Sequence, residues 1–117
     1  MQLTDALSNQ LGKYLDLASD QMKLTAENMA NVDTPGYRTL GIDFNQEFSR
    51  AMQSGAEAAA PQVKEVDGLL ARPDGNNVSL DREGIQLAKA QLQFRTGVEL
   101  LKHQYSSVMS AIHEDSK

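Results

Sequence analysis

The chain has 117 residues, enough for one domain and too few for two. Its net charge is −5 and it has no Lys/Arg cluster, which excludes an ordinary nucleic-acid binder, since that needs cations to neutralise phosphates. Aromatics are only 5% and Trp and Cys are absent, so an aromatic-rich core, a disulfide framework and a thiolate metal site are excluded together.

The opening stretch "MQLTDALSNQ" has neither a basic n-region nor an apolar h-region, so it does not read as a secretory signal. No stretch reaches the roughly 18 apolar residues of a membrane span. Residues 4–31 instead predict a helix, with Thr4 as N-cap and Asp5 in a first turn that favours negative charge. On a helical wheel Asp5, Lys13, Asp16, Asp20, Lys23 and Glu27 share an arc of roughly 80°. Leu7, Leu11, Tyr14, Ala18, Met22, Met29 and Val32 lie opposite. Leu15 and Ala26 extend that stripe on one edge, Leu17 and Leu24 on the other. The apolar face is about 200° wide, twice what one packing partner needs. It therefore calls for cover from two directions.

The helix stops at "NVDTPGY". Pro35 pushes Thr34 into extended geometry, and Gly36 supplies the positive φ of the third position in a type II turn. Asn28 and Asn31 suit a helix end because Asn tolerates the left-handed region and bonds free carbonyls. A short helix is expected at 43–52, with Phe44, Phe48 and Met52 at i, i+4 and i+8. Residues 53–62, "QSGAEAAAPQ", read as a linker. Residues 63–80 carry two turn signals, Asp67-Gly68 and Asp74-Gly75, compatible with an irregular β-hairpin.

Residues 80–112 predict the second long helix, capped by Ser79, with Asp81 and Glu83 in its first turn. Leu87, Ala90, Phe94, Val98, Leu101, Tyr105, Val108 and Ile112 form a narrow stripe that suits helix-on-helix or coiled-coil packing. Ile85, Ala88 and Leu92 make a second, smaller patch nearly opposite. Gly97 lies on the stripe, which implies close backbone approach by a neighbour. At about 40 and 50 Å, the two helices exceed what a compact domain of this mass requires. The class is mainly α, divided into an N-terminal helix (1–33), a middle segment (34–79) and a C-terminal helix with a short tail (80–117).

No catalytic constellation emerges, because no Ser, Thr or Lys has a base arranged beside it. Glu99 and His103 stand at i, i+4, but zinc needs further ligands and none has suitable spacing. "DGNNVSLDRE" fails as a calcium loop: counted from Asp74, position six is Ser79 and position twelve Ile85. It reads as a turn leading into a helix cap. Met22, Met29, Met52 and Met109 read as core filling rather than an adaptable binding surface. No metal, cofactor or small-molecule substrate is expected.

"ANVDTPGY", Ala30 to Tyr37, resembles the signature of bacterial flagellar rod and hook proteins, Ala-Asn-x-x-Thr-Pro-Gly-Tyr, through Ala30, Asn31, Thr34, Pro35, Gly36 and Tyr37. "TLGIDFNQEF" (39–48) and residues 74–112 are similar to the proximal-rod branch of that family. Two departures are Gly84, where a larger residue is expected, and a short middle segment. The resemblance implies terminal helices paired as a coiled coil, with many subunits stacked helically into a tube. Neighbouring subunits would then cover the rest of the wide apolar face and the second patch. Implied partners are other copies, other proximal rod proteins, the rod's adaptor ring and the flagellar export gate. The implied location is the basal body in the periplasm, reached by type III export without a cleaved signal. The rival expectations are a soluble helical adaptor or chaperone of a secretion system, and another proximal rod subunit.

Overall fold

No proline interrupts residues 1–34 or 74–117, and two long helices follow. In a computed structural model, described over residues 2–54 and 60–115, the order is α1 (Gln2–Ala30), β1 (Leu40–Gly41), α2 (Phe44–Ser54), β2 (Lys64–Glu65) and α3 (Leu80–Asp115). α1 already runs at Gln2, so Thr4 lies inside the helix and does not cap it. α3 begins as expected: Ser79 Oγ accepts from the Arg82 amide at 3.2 Å, and the Glu83 amide bonds the Ser79 carbonyl at 2.9 Å. α2 begins with Asp43 as its cap, whose carboxylate accepts from the Gln46 amide at 3.1 Å.

The long helices are antiparallel. Asn28 meets Glu83 near one end, and Gln104 Nε2 donates to Ser8 Oγ at 3.1 Å towards the other. Between them lies Gly97, where an added Cβ would stand 2.7 Å from Leu15 Cδ2 and 3.0 Å from Tyr14 Cδ1. The close neighbour that Gly97 implies is thus α1 of the same chain.

α2 folds back along α1. Tyr14 meets the rings of Phe44 and Phe48 edge-on, with centroids 5.3 and 5.7 Å apart. Lys13 Nζ donates to the Ala51 carbonyl at 2.9 Å. This corrects one expectation about the 200° face. Leu17 and Leu24 on its far edge are buried, at 6% and 7% exposure, and α2 and β1 pack on α1 beside α3. Much of the second cover comes from within the chain, not from a neighbour.

An antiparallel strand pair is present, but neither Asp-Gly turn connects it. Leu40 pairs with Glu65 and Gly41 with Lys64, so β2 reaches back across α2 to β1. Gly68 and Gly75 still adopt the positive φ their turns require, +82° and +88°. The linker expected at 53–62 lies partly outside the described residues. The molecule measures 70 × 25 × 17 Å with a radius of gyration of 18.4 Å. A compact chain of this length would have about 13 Å. Among the described residues the buried apolar side chains are accordingly few: Leu17, Ala18, Leu24, Val78 and Ala90.

Candidate functional site

Where α1 ends and α3 begins, the buried side chains are mostly polar. Thr25, Asn28, Thr39, Asn76, Asn77 and Glu83 are all buried there. Buried polar groups must find partners, and here, the Thr39 hydroxyl apart, they find them in neighbouring side chains and in the crossing backbone.

Asn28 is at the centre. Its Nδ2 donates to the Leu40 carbonyl at 2.8 Å and to Glu83 Oε2 at 3.2 Å. Its Oδ1 accepts from the Tyr37 hydroxyl at 2.9 Å and from the Leu40 amide at 3.1 Å. All four hydrogen-bonding positions of the amide are used. One side chain therefore joins α1, the Pro-Gly turn, β1 and α3. Glu83, fully buried, accepts from Asn28 and, through Oε1, from Arg82 Nη1 at 2.6 Å.

The turn itself is a type II turn. The Tyr37 amide bonds the Thr34 carbonyl at 3.2 Å, and Gly36 has φ +76°. Among the described residues no non-glycine residue has positive φ, so Asn31 does not close α1 through the left-handed region. Its Nδ2 bonds the Glu27 carbonyl at 2.8 Å instead, and its Oδ1 accepts from the Thr34 hydroxyl at 3.0 Å. The Glu27 carbonyl thus accepts twice from Asn31, from its side chain and from its backbone amide at 3.2 Å.

A second loop locks onto the first. Asn76 Nδ2 donates to the carbonyls of Asn31 and Thr34, both at 2.8 Å. The Gly36 amide bonds the Asp74 carbonyl at 2.9 Å, and Asn77 Oδ1 accepts from the Thr39 amide at 2.6 Å. Arg72 reaches the carbonyls of Val32 and Val78. A Cβ on Gly75 would stand 3.4 Å from the Gly36 Cα, so the two glycine turns lie back to back. Tyr37 is held as a neutral donor here. Burial raises its phenol above the ordinary value, and the carboxylates of Glu27 and Glu83 add to the rise.

The arrangement is a mechanical fastener. Among the described residues no group of three or more His, Cys, Asp or Glu is placed to hold a metal, and no helix is long and apolar enough to cross a membrane. Of the motif residues, Asn31 and Tyr37 are half-buried and bonded, while Ala30, Thr34, Pro35 and Gly36 lie at the surface. No family model matches the chain. Curated relatives are more specific. A protein of Escherichia coli (strain K12) named flagellar basal body rod protein FlgB is 31% identical, over 84% of this chain and 86% of that protein. Proteins of the same name in Cereibacter sphaeroides (strain ATCC 17029 / ATH 2.4.9) and Yersinia enterocolitica are 30% and 27% identical, over 89% and 86% of this chain. The chain belongs to the FlgB family.

In this FlgB-family chain the helix residues singled out from sequence divide into two groups. Ala18 is buried, and Leu11, Tyr14, Met22, Met29, Leu87, Val98, Leu101 and Val108 are half-buried in the antiparallel pair. Leu7, Phe94, Tyr105 and Ile112 are exposed. The wheel did not assign the clasp roles of Asn28, Glu83, Asn76, Asn77 and Arg72. The Asn-Asn doublet after Asp74-Gly75 was the available signal, since consecutive amides after a turn are well placed to bond a crossing backbone.

Proposed function

We propose that this chain is a structural subunit of the bacterial flagellar basal-body rod, at its proximal end, and that it acts by assembly and not by turnover. The observation carrying this reading is the combination of the family motif, folded into a rigid clasp, with an elongated helix pair that leaves Phe94, Tyr105, Met109 and Ile112 uncovered along α3. Apolar surface of this length is the hallmark of an interaction face. Helical stacking of many copies, and of related rod proteins, would cover it and build the wall of a shaft through which later components pass. The adaptor ring joining rod to export gate, and the gate itself, are the further partners of this reading. The chain crosses the inner membrane through the flagellar type III channel to the periplasmic side, with α1 serving first as an export-recognised segment and then as rod wall. The motif residues 30–37 and the α1 and α3 stripes are its assembly residues.

The test is fractionation with a genetic counterpart. An epitope-tagged chain is expected in purified basal bodies, and cells lacking the gene are expected to build no filaments. A tagged chain that stays in the cytoplasm as monomer or dimer, in cells that still swim, would mark a soluble secretion adaptor instead.

A further inference from the structure

Resting on the rod-subunit reading, we propose that copies of this chain stack head-to-tail along α3. The Ile85–Leu92 patch of one copy seats in the apolar groove beside Phe94 and Val98 of the next. The groove, about 410 Å³, lies where Met22 of α1 meets Phe94 and Val98 of α3, with Gln91 and Arg95 at its rim. The patch lies elsewhere on the same helix. Ile85 and Leu92 are 61% and 64% exposed, and they sit about 150° around the α3 axis from the groove. Two different surfaces that complement each other generate an open, repeating array, whereas a two-fold dimer would need one surface to match itself.

Charge selects the occupant and the offset. Asp81 lies one turn before Ile85 on the patch side, and Arg95 lines the groove. Neither forms an ion pair among the described residues, whereas nearby Glu99 is engaged by Lys102 at 3.8 Å. Facing Asp81 of one copy towards Arg95 of the next requires a stagger of about 14 residues, or about 21 Å along the helix. A stagger one residue shorter brings Ile85 level with Val98 and Leu92 level with Tyr105, which is 70% exposed. The apolar match and the charge match thus agree to within one residue, about 1.5 Å of helix rise, between like-directed helices. Lys89 borders the patch on its other side and is left at the rim of the contact.

The chain has no cysteine, so introduced thiols report without background. The experiment replaces the native gene with I85C/V98C, oxidises intact cells mildly and isolates basal bodies. A disulfide ladder of dimers and higher multiples is expected, and no ladder from either single variant. Self-crosslinking of I85C alone would indicate a two-fold contact and overturn the proposal. So would crosslinks only to a protein of another mass, or a chain present in basal bodies but uncrosslinked; those results leave the rod reading standing. Absence of the unmodified chain from basal bodies overturns both. The exposed charges give a second arm on the same background. D81R or R95E alone should lose the ladder, and D81R/R95E should regain it; failure of the double variant to do so also overturns the stacking.

Discussion

Asn28 shows how much one amide can carry. Its four hydrogen bonds tie four segments of the chain, and its removal would strand the Tyr37 hydroxyl, the Leu40 backbone and one oxygen of buried Glu83. Unsatisfied buried groups cost more than the bonds they formerly made. Asn28→Leu should therefore lower stability by about 2–4 kcal/mol, read by urea denaturation of the purified chain. Tyr37→Phe removes one donor and leaves Asn28 Oδ1 with the Leu40 amide, so about 1 kcal/mol is expected. Tyr37 also gives the clasp a pH dependence. Its folded phenol ionises above the ordinary value of 10.0, because burial disfavours the phenolate and Glu27 and Glu83 repel it. Its stabilising contribution is complete below the unfolded value and is lost as pH rises through the folded one. The melting temperature of the native chain should fall more steeply above pH 10.0 than that of Tyr37→Phe.

At the scale of the helices, two glycines of α3 separate intrinsic helix propensity from packing. An added Cβ at Gly84 meets nothing within 4 Å, whereas at Gly97 it meets two side chains of α1. Gly84→Ala should raise stability by about 1 kcal/mol through helix propensity alone. Gly97→Val should lower it by about 1–3 kcal/mol, because the helices can make room only by separating or adopting poor rotamers. Thermal melts of both variants measure the contrast. The same elements show what sequence can and cannot reveal. The span of α3, its Ser79 cap, the short α2 and the turn at Gly36 are legible because each rests on local periodicity or on a backbone requirement of Pro or Gly. The β1–β2 pairing is not, since two residues on each side have no period and their partnership is set by how α2 returns along α1. The clasp is only half legible. Asn31 and Tyr37 stand out in the motif, but Asn28 and Glu83 are 55 residues apart and nothing local announces their meeting. The wide face of α1 was read correctly as needing two covers, yet a wheel cannot distinguish the chain's own middle segment from a neighbour.

Across the whole molecule, stability is distributed unevenly. The clasp, β1–β2 and α2 all gather on the half of the helix pair that holds residues 13–30 and 80–97. Among the described residues the other half consists of two helices alone, with Leu7, Tyr105, Met109 and Ile112 exposed. Local opening costs least where buried apolar contacts are fewest. Amide hydrogen exchange of the dilute monomer should therefore be slow across residues 17–28 and 83–97 and much faster across 5–11 and 104–114, with protection of the fast stretches rising when the chain is incorporated into an assembly. Uniform protection would show that the far half is stable on its own.

The antiparallel pairing also sets a timetable. Ser8 meets Gln104 across 96 positions and Asn28 meets Glu83 across 55, so α1 has no long partner until α3, from Leu80 onwards, has been delivered. A chain emerging amino end first, whether from a ribosome or from a narrow conduit, cannot close this hairpin early. Its topology thus postpones maturation until α3 arrives, keeping the preceding chain threadable while it is in transit.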